Sequence, residues 1–162
     1  MTLDHIQIKP LTAVDFSAFG DVLEAAGIPD RLINQGMGGR FHDRALLDFG
    51  PDGRAGISIF DAEPRDLPYH LNILERHPEG SQAFIPMHSN EWLVIVAEAG
   101  DTPGPVHAFR VPPGVGVNFH KGTWHGVLTP LHVPGLFAVI DRIGETSNLQ
   151  ECRLPVPLVI TK

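Results

Sequence analysis

Fifteen prolines and 17 glycines cut this 162-residue chain into short pieces. Proline fixes φ and removes a backbone donor, and glycine inside a regular element costs backbone entropy, so few stretches can carry a long helix. The pieces between these breakers are mostly apolar or alternating runs of strand length. Strands are expected over residues 6–8, 21–24, 56–63, 69–76, 81–85, 92–97, 106–111, 115–119, 124–128 and 136–141. One short helix is expected over 12–19, with Thr12 as its cap, Asp15 at the box position and Gly20 at its end; a plain turn is the alternative. Residues 27–39 are the most loop-like stretch and are placed at the surface or a rim. No internal repeat or linker is visible, so residues 1–162 are read as one all-β dominated domain, a sandwich or barrel with a short N-terminal helix.

Charge narrows the partners. Nineteen acidic residues against 12 basic ones give a net charge of −7, which argues against a nucleic-acid partner and an anionic membrane surface. A small anionic substrate is compatible with that total, because a few local Arg or His residues decide the field at a site. The single cysteine, Cys152, allows no intrachain disulfide. The N-terminus has no basic stretch followed by an apolar run, and the longest apolar run, residues 92–97, is too short to span a bilayer. A cytoplasmic protein that does not enter the membrane is expected.

The chemistry-bearing residues cluster. Nine histidines are present, and the densest segment is 114–125. Its alternation puts Asn118 and His120 on one side of a strand. Gly122 breaks that strand, and a hairpin through it would turn His120 and His125 toward one cavity. Glu75 and His77 share a strand face while Arg76 takes the other, Gln82 shares a face with Phe84, and Arg40 shares one with His42. Asp141 and Arg142 lie on opposite faces of the last expected strand. Each also has a structural reading: His120 and His125 as hydrogen-bonded barrel residues, Glu75 to His77 as a solvated strand end, and Asp141 or Arg142 as an ion pair. His70, His88, His107 and His132 are expected mostly at the surface.

The spacing in 114–129 resembles part of the second cupin motif, G-x5-P-x-G-x2-H-x3-N. Gly114, Gly122 and His125 match it, while His120 replaces its proline and Thr129 its asparagine. Of the first cupin motif, Gly80 and His88 match, Pro86 stands in place of a metal-binding His, and Glu91 comes early. Longer blocks are more specific. The segment 74–87, LERHPEGSQAFIPM, closely resembles the signature of the ureidoglycolate lyase family, formerly called ureidoglycolate hydrolase. Asn34-Gln35-Gly36 with Arg40-Phe41-His42-Asp43, the segment 116–125, and Ile140-Asp141-Arg142 with Asn148-Leu149 are similar to its other blocks, in order. The chain departs at Gly126-Val127, where His-Pro is expected, and at Ile143, where Gly is usual. The resemblance implies a cupin-like β-barrel homodimer that cleaves (S)-ureidoglycolate to glyoxylate and urea in allantoin or purine breakdown. It also implies dependence on Ni2+ or another divalent metal.

That reaction needs the substrate hydroxyl to lose a proton, the departing ureido nitrogen to gain one, and a cation to hold the carboxylate. A positioned acid or base contributes roughly 10²–10⁴ in rate. His120 and His125 are the candidates for proton transfer or for metal ligation, with Glu75 or His77 as their partner. Arg40 is the first candidate for the substrate carboxylate and Lys121 the second; His42, Gln82, Asn118 and Asp141 complete the candidate binding set. Two alternatives stay open. An amidohydrolase using the same residues would release ammonia and carbon dioxide, and a cupin-like module with no turnover would only bind a ligand.

Overall fold

The computed structural model describes residues 3–162. In chain order it forms β1 (His5–Pro10), α1 (Ala13–Phe16), β2 (Gly20–Leu23), β3 (Arg31–Ile33), β4 (Gly38–Arg40), β5 (Arg54–Asp61), β6 (Tyr69–Arg76) and β7 (Gln82–Pro86). It continues with β8 (Trp92–Ala97), β9 (Val106–Val111), β10 (Gly116–Phe119), β11 (Trp124–His125), β12 (Thr129–Pro130), β13 (Leu136–Ile143) and β14 (Gln150–Thr161). Strand accounts for 48% of the chain and helix for 4%, so the all-β expectation holds.

Six strands close a barrel in the order β11-β6-β14-β1-β9-β8, the ring being sealed where β8 pairs with β11. A second sheet, β2-β10-β7-β13-β5, packs against the β8–β9 side of that barrel, and β3 and β4 form a separate hairpin. β8 shows how the two layers share a wall. Its sequence is a continuous apolar run rather than an alternating one, as a strand buried on both faces requires. Leu93, Ile95 and Ala97 fill the barrel with Leu71, Leu74, Trp124 and Ile160. Trp92, Val94 and Val96 point the other way, into a second core shared with Phe84, Val117, Phe119, Phe137 and Val139. Burial of side chains of this size contributes about 1.5–3 kcal/mol each.

The second sheet therefore has two distinct faces. Phe84, Val117, Phe119 and Val139 define its inner face, toward the barrel. Ala83, Ile85, Asn118, Ile57 and Ile59 alternate onto the outer face, where Ile57 is 73% and Ile59 57% exposed.

Several elements differ from expectation. Thr12 caps α1 as read, its hydroxyl accepting from the Asp15 N–H at 3.1 Å, but the helix ends at Phe16. The expected strand 124–128 stops at His125, because Gly126 turns and donates its N–H to the Ile95 carbonyl. The hairpin β3–β4 lies inside the loop-like stretch, closed by Asn34, Gln35 and Gly36 at positive φ. β4 ends at Arg40, so Arg40 and His42 do not share a strand face; His42 lies beyond it, its N–H held by Asp30 at 2.9 Å. The longest strand, β14, was not among the expected ones, and it carries Pro155 and Pro157, which cannot donate to a ladder. Both fall in the register shift between Arg153 and Leu158, where the ladder to β6 needs no donors.

Candidate active site

One end of the gap between barrel and second sheet gathers the chemistry. β6 ends there with Glu75 and Arg76, the chain turns through His77 to Ser81, and β7 starts with Gln82. β10 ends there with Phe119, and after the Gly122 turn, at φ 80, β11 brings in Trp124 and His125. His125 lies directly across the ladder from Glu75. Alternation then sorts neighbours. Trp124 enters the barrel core, and the Arg76 guanidinium lies 4.5 Å over its ring, whereas Glu75, His77 and His125 all face the gap.

Ligand atoms of Glu75, His77 and His125 lie within 4.8 Å of one another. The His77 and His125 rings are 5.3 Å apart, and Phe119 stacks flat on His125 at 4.5 Å with 4° between planes. Backbone carbonyls fix both tautomers: His77 Nδ1–H donates to Asn148 at 2.7 Å and His125 Nδ1–H to Gly126 at 2.9 Å. Each Nε2 therefore presents a lone pair, and both are buried without a partner among the described residues. Burial pulls His125 down to a pKa of about 4, so it is neutral near pH 7. Burial also pushes Glu75 up, against the opposing pull of His77 and with added repulsion from Glu151.

The inner face of the second sheet completes this end. Gln82 is the ladder partner of both Phe119 and Asp141, and its Nε2 donates to Asp141 Oδ2 at 3.1 Å. His120 does not join this group. With Val117 and Phe119 facing the core, the strand period sends Asn118 and His120 to the outer face together, as their alternation requires. There Asn118 Nδ2 donates to Asp21 Oδ2 and to the Leu46 carbonyl, both at 3.0 Å, and His120 Nε2 lies 3.0 Å from Asp21 Oδ1. The convergence of His120 and His125 expected from the hairpin is therefore not formed. Lys121 sits at the rim on Asp48, Nζ to Oδ2 at 3.0 Å. Arg40 and His42 are exposed on and beyond the β3–β4 hairpin.

Asn148, to which no role was assigned from sequence, and Arg142, read there as an ion-pair candidate and found 3.6 Å from Glu79, hold this end together. Asn148 takes the His77 ring proton on its carbonyl and the Glu79 N–H on its side chain at 2.7 Å. Arg142 donates to the Phe49 carbonyl and to Thr146, which in turn donates to Glu79 at 2.6 Å. Asn148 belongs to a recognised sequence block, yet its partner is 71 residues away and no spacing rule reaches that far. Among the described residues, a cavity of about 540 Å³ lined by Lys9, Phe19, Glu98 and His107 lies elsewhere.

A family model described as ureidoglycolate lyase matches residues 3–161. The chain belongs to the ureidoglycolate lyase family. It is similar to a protein named ureidoglycolate lyase from Rhodobacter capsulatus, 54% identical over 159 residues that cover 98% of this chain and 99% of the relative. A ureidoglycolate lyase of a Chelativorans species is 46% identical, covering 94% and 93% of the two chains. A protein named ureidoglycolate lyase 2 from Rhizobium meliloti is 45% identical, covering 90% and 91%.

For a ureidoglycolate lyase family member in which a divalent metal is implied, the donor set at this end is a fit. Two imidazole nitrogens and one carboxylate converge, a combination suited to a first-row divalent ion. The carbonyl-held Nδ1 atoms supply the orientation such ligands need. No helix among the described residues is long and apolar enough to cross a membrane.

Proposed function

We propose that this chain is a ureidoglycolate lyase whose chemistry is centred on Glu75, His77 and His125. The single observation that carries the assignment is the convergence of three acceptor groups, two of them buried imidazole nitrogens with no partner. Buried polar atoms left without partners cost stability, so such a cluster is explained by what it binds.

Glu75 is the proton carrier in this reading. A carboxylate whose proton affinity is raised by burial is a stronger base than a free one, and it can accept the hydroxyl proton and return it. As the hydroxyl oxygen closes to the aldehyde of glyoxylate, the bond from carbon to the ureido nitrogen breaks. Protonated Glu75 then delivers its proton to that nitrogen, so urea leaves neutral. His125, with a pKa of about 4, is a poor base but a good neutral ligand or acceptor; His77 stands beside it with its Nε2 equally free. A divalent ion such as nickel, held by both Nε2 atoms and one Glu75 oxygen, would supply Lewis acidity toward the α-hydroxyl. Lys121 is proposed for the substrate carboxylate in preference to Arg40, because it follows His120 in the turn that leads to His125, whereas Arg40 stands on the outlying hairpin. His120 and Asn118 are assigned to bracing the outer face. A role in allantoin breakdown, in the cytoplasm and as a homodimer, belongs to the same reading; the exposed Ile57, Ile59 and Ile85 of the outer face supply an apolar surface for a second copy.

Turnover decides it. Purified protein given ureidoglycolate should release urea and glyoxylate in equal amounts; ammonia in place of urea would favour an amidohydrolase. Activity lost on prolonged chelation and restored by a divalent ion would support the metal, and unaffected activity would remove it. Light scattering at twice 17.7 kDa would support the dimer.

A further inference from the structure

Gln82 is 6% exposed, and its carboxamide oxygen has no partner among the described residues. Its orientation is settled by chemistry. Asp141 is a carboxylate that accepts, so the Gln82 NH2 must face it, and the donation is seen at 3.1 Å. That leaves Oε1 directed away from Asp141. The ladder partner on that side is Phe119, whose ring is stacked on His125. Adjacent strands are about 4.8 Å apart and packed sheets about 10 Å. Gln82 thus lies about one strand from Phe119, on the same inner face of the sheet as the ring that stacks on His125.

The two sides of the gap have different characters. The barrel side offers lone pairs for a hydroxyl proton or a cation. The Gln82 side offers a carboxamide, which has one free acceptor and one further N–H, and a carboxylate behind it. A carboxamide is self-complementary with a urea group: its oxygen accepts from a ureido N–H while its remaining N–H donates to the ureido carbonyl. We propose that Gln82, held in orientation by Asp141, is the subsite for the ureido end of the substrate, and that the pair determines specificity for a terminal urea group. The inference rests on the lyase reading and refines it. It assigns the two product halves to opposite walls, glyoxylate to the Glu75 side and urea to the Gln82 side.

Product inhibition separates the halves. Urea and glyoxylate are titrated as inhibitors of the wild type, of Gln82→Met, which keeps length and removes both polar atoms, and of Asp141→Asn, which leaves the Gln82 amide free to turn over. Loss of a hydrogen bond of ordinary strength should raise the urea inhibition constant roughly five- to tenfold in Gln82→Met. The glyoxylate constant should stay within about twofold, a change too small to be a lost hydrogen bond. Asp141→Asn should move the urea constant in the same direction by less. If Gln82→Met fails to fold, Asp141→Asn alone must show the same selectivity. Equal change in both constants, or none in the urea constant, overturns the assignment. A wild type that releases no urea from ureidoglycolate would overturn the lyase reading itself, and the two failures are distinguished before any variant is made.

Discussion

Asp21 and Glu75 are both partly buried carboxylates beside a histidine, and their proton affinities move in opposite directions. Burial raises each. At Asp21 it is outweighed by hydrogen bonds from Asn118 and the Leu46 N–H and by His120, so its pKa falls below the ordinary value. At Glu75 burial wins over the opposing pull of His77, because no hydrogen bond among the described residues reaches its carboxylate to offset the burial, and Glu151 adds like charge. The difference is one of donor supply. A carboxylate surrounded by donors is bound into structure. One surrounded by acceptors needs a proton or a cation and is poised for chemistry. The two regions are separated only by the thickness of β10, on whose opposite faces Asn118 and Phe119 lie.

The sharpest way to break this comparison is to substitute on each side and measure activity per folded molecule. His77→Ala, His125→Ala and Glu75→Gln should each lower kcat/KM by roughly 10²–10⁴, about 3–5 kcal/mol of transition-state stabilisation. His120→Ala should leave kcat/KM within about tenfold of wild type, less than the smallest loss expected of a catalytic acid or base. Large losses from His120→Ala, with near-normal activity in the inner variants, would reverse the assignment of the two regions.

A somewhat smaller effect is expected in the pH dependence of stability. The folded His125 pKa of about 4 lies below the ordinary 6.5, so the unfolded chain binds more protons between those values. Stability contributed by neutral His125 is full above about pH 6.5 and is lost as pH falls toward 4, on the order of 3 kcal/mol for this fully buried ring. Glu75 contributes with the opposite sign, since its raised pKa favours the folded state as acid is added. The readout is therefore the difference between wild type and His125→Phe, which keeps an aromatic ring against Phe119. The melting temperature of the wild type should fall relative to that of His125→Phe as pH drops from 6.5 to 4. Parallel curves would show that burial of His125 carries no such cost.

The smallest effect belongs to the outer face. His120→Ala should lower unfolding free energy by about 1 kcal/mol, the range for a partly exposed hydrogen-bonded contact between a histidine ring and a carboxylate. A loss of several kcal/mol would mean that the outer histidine is integral to the core.

Local periodicity made part of this site readable in advance. Glu75 and His77 fall on one face, opposite Arg76, because a strand has period two, and no tertiary knowledge is needed. The Thr12 cap is likewise a local signal. The pairing of His125 with Glu75 across the β6–β11 ladder is not local, and neither is the hold of Asn148 on His77. The expected meeting of His120 with His125 failed for a reason present in the same segment. Val117 and Phe119 are the apolar pair, so their face is the buried one, and Asn118 and His120 are sent to the other side. β14 carries two prolines and so lacks an unbroken strand pattern, whereas in the fold a register shift between Arg153 and Leu158 absorbs both. The β3–β4 hairpin has three-residue strands and exposed side chains, so it leaves little apolar pattern to read.

The barrel is sealed by β11, a strand of only two residues that pairs with β6 on one side and β8 on the other. One of those residues is His125. Ring closure and assembly of the acceptor cluster are thus one cooperative event: parting the seam removes His125 from Glu75 and opens the cylinder at the same time. Amide hydrogens at Trp124 and His125 report that parting. Their exchange and the thermal loss of turnover should therefore share one activation energy, below that of global unfolding.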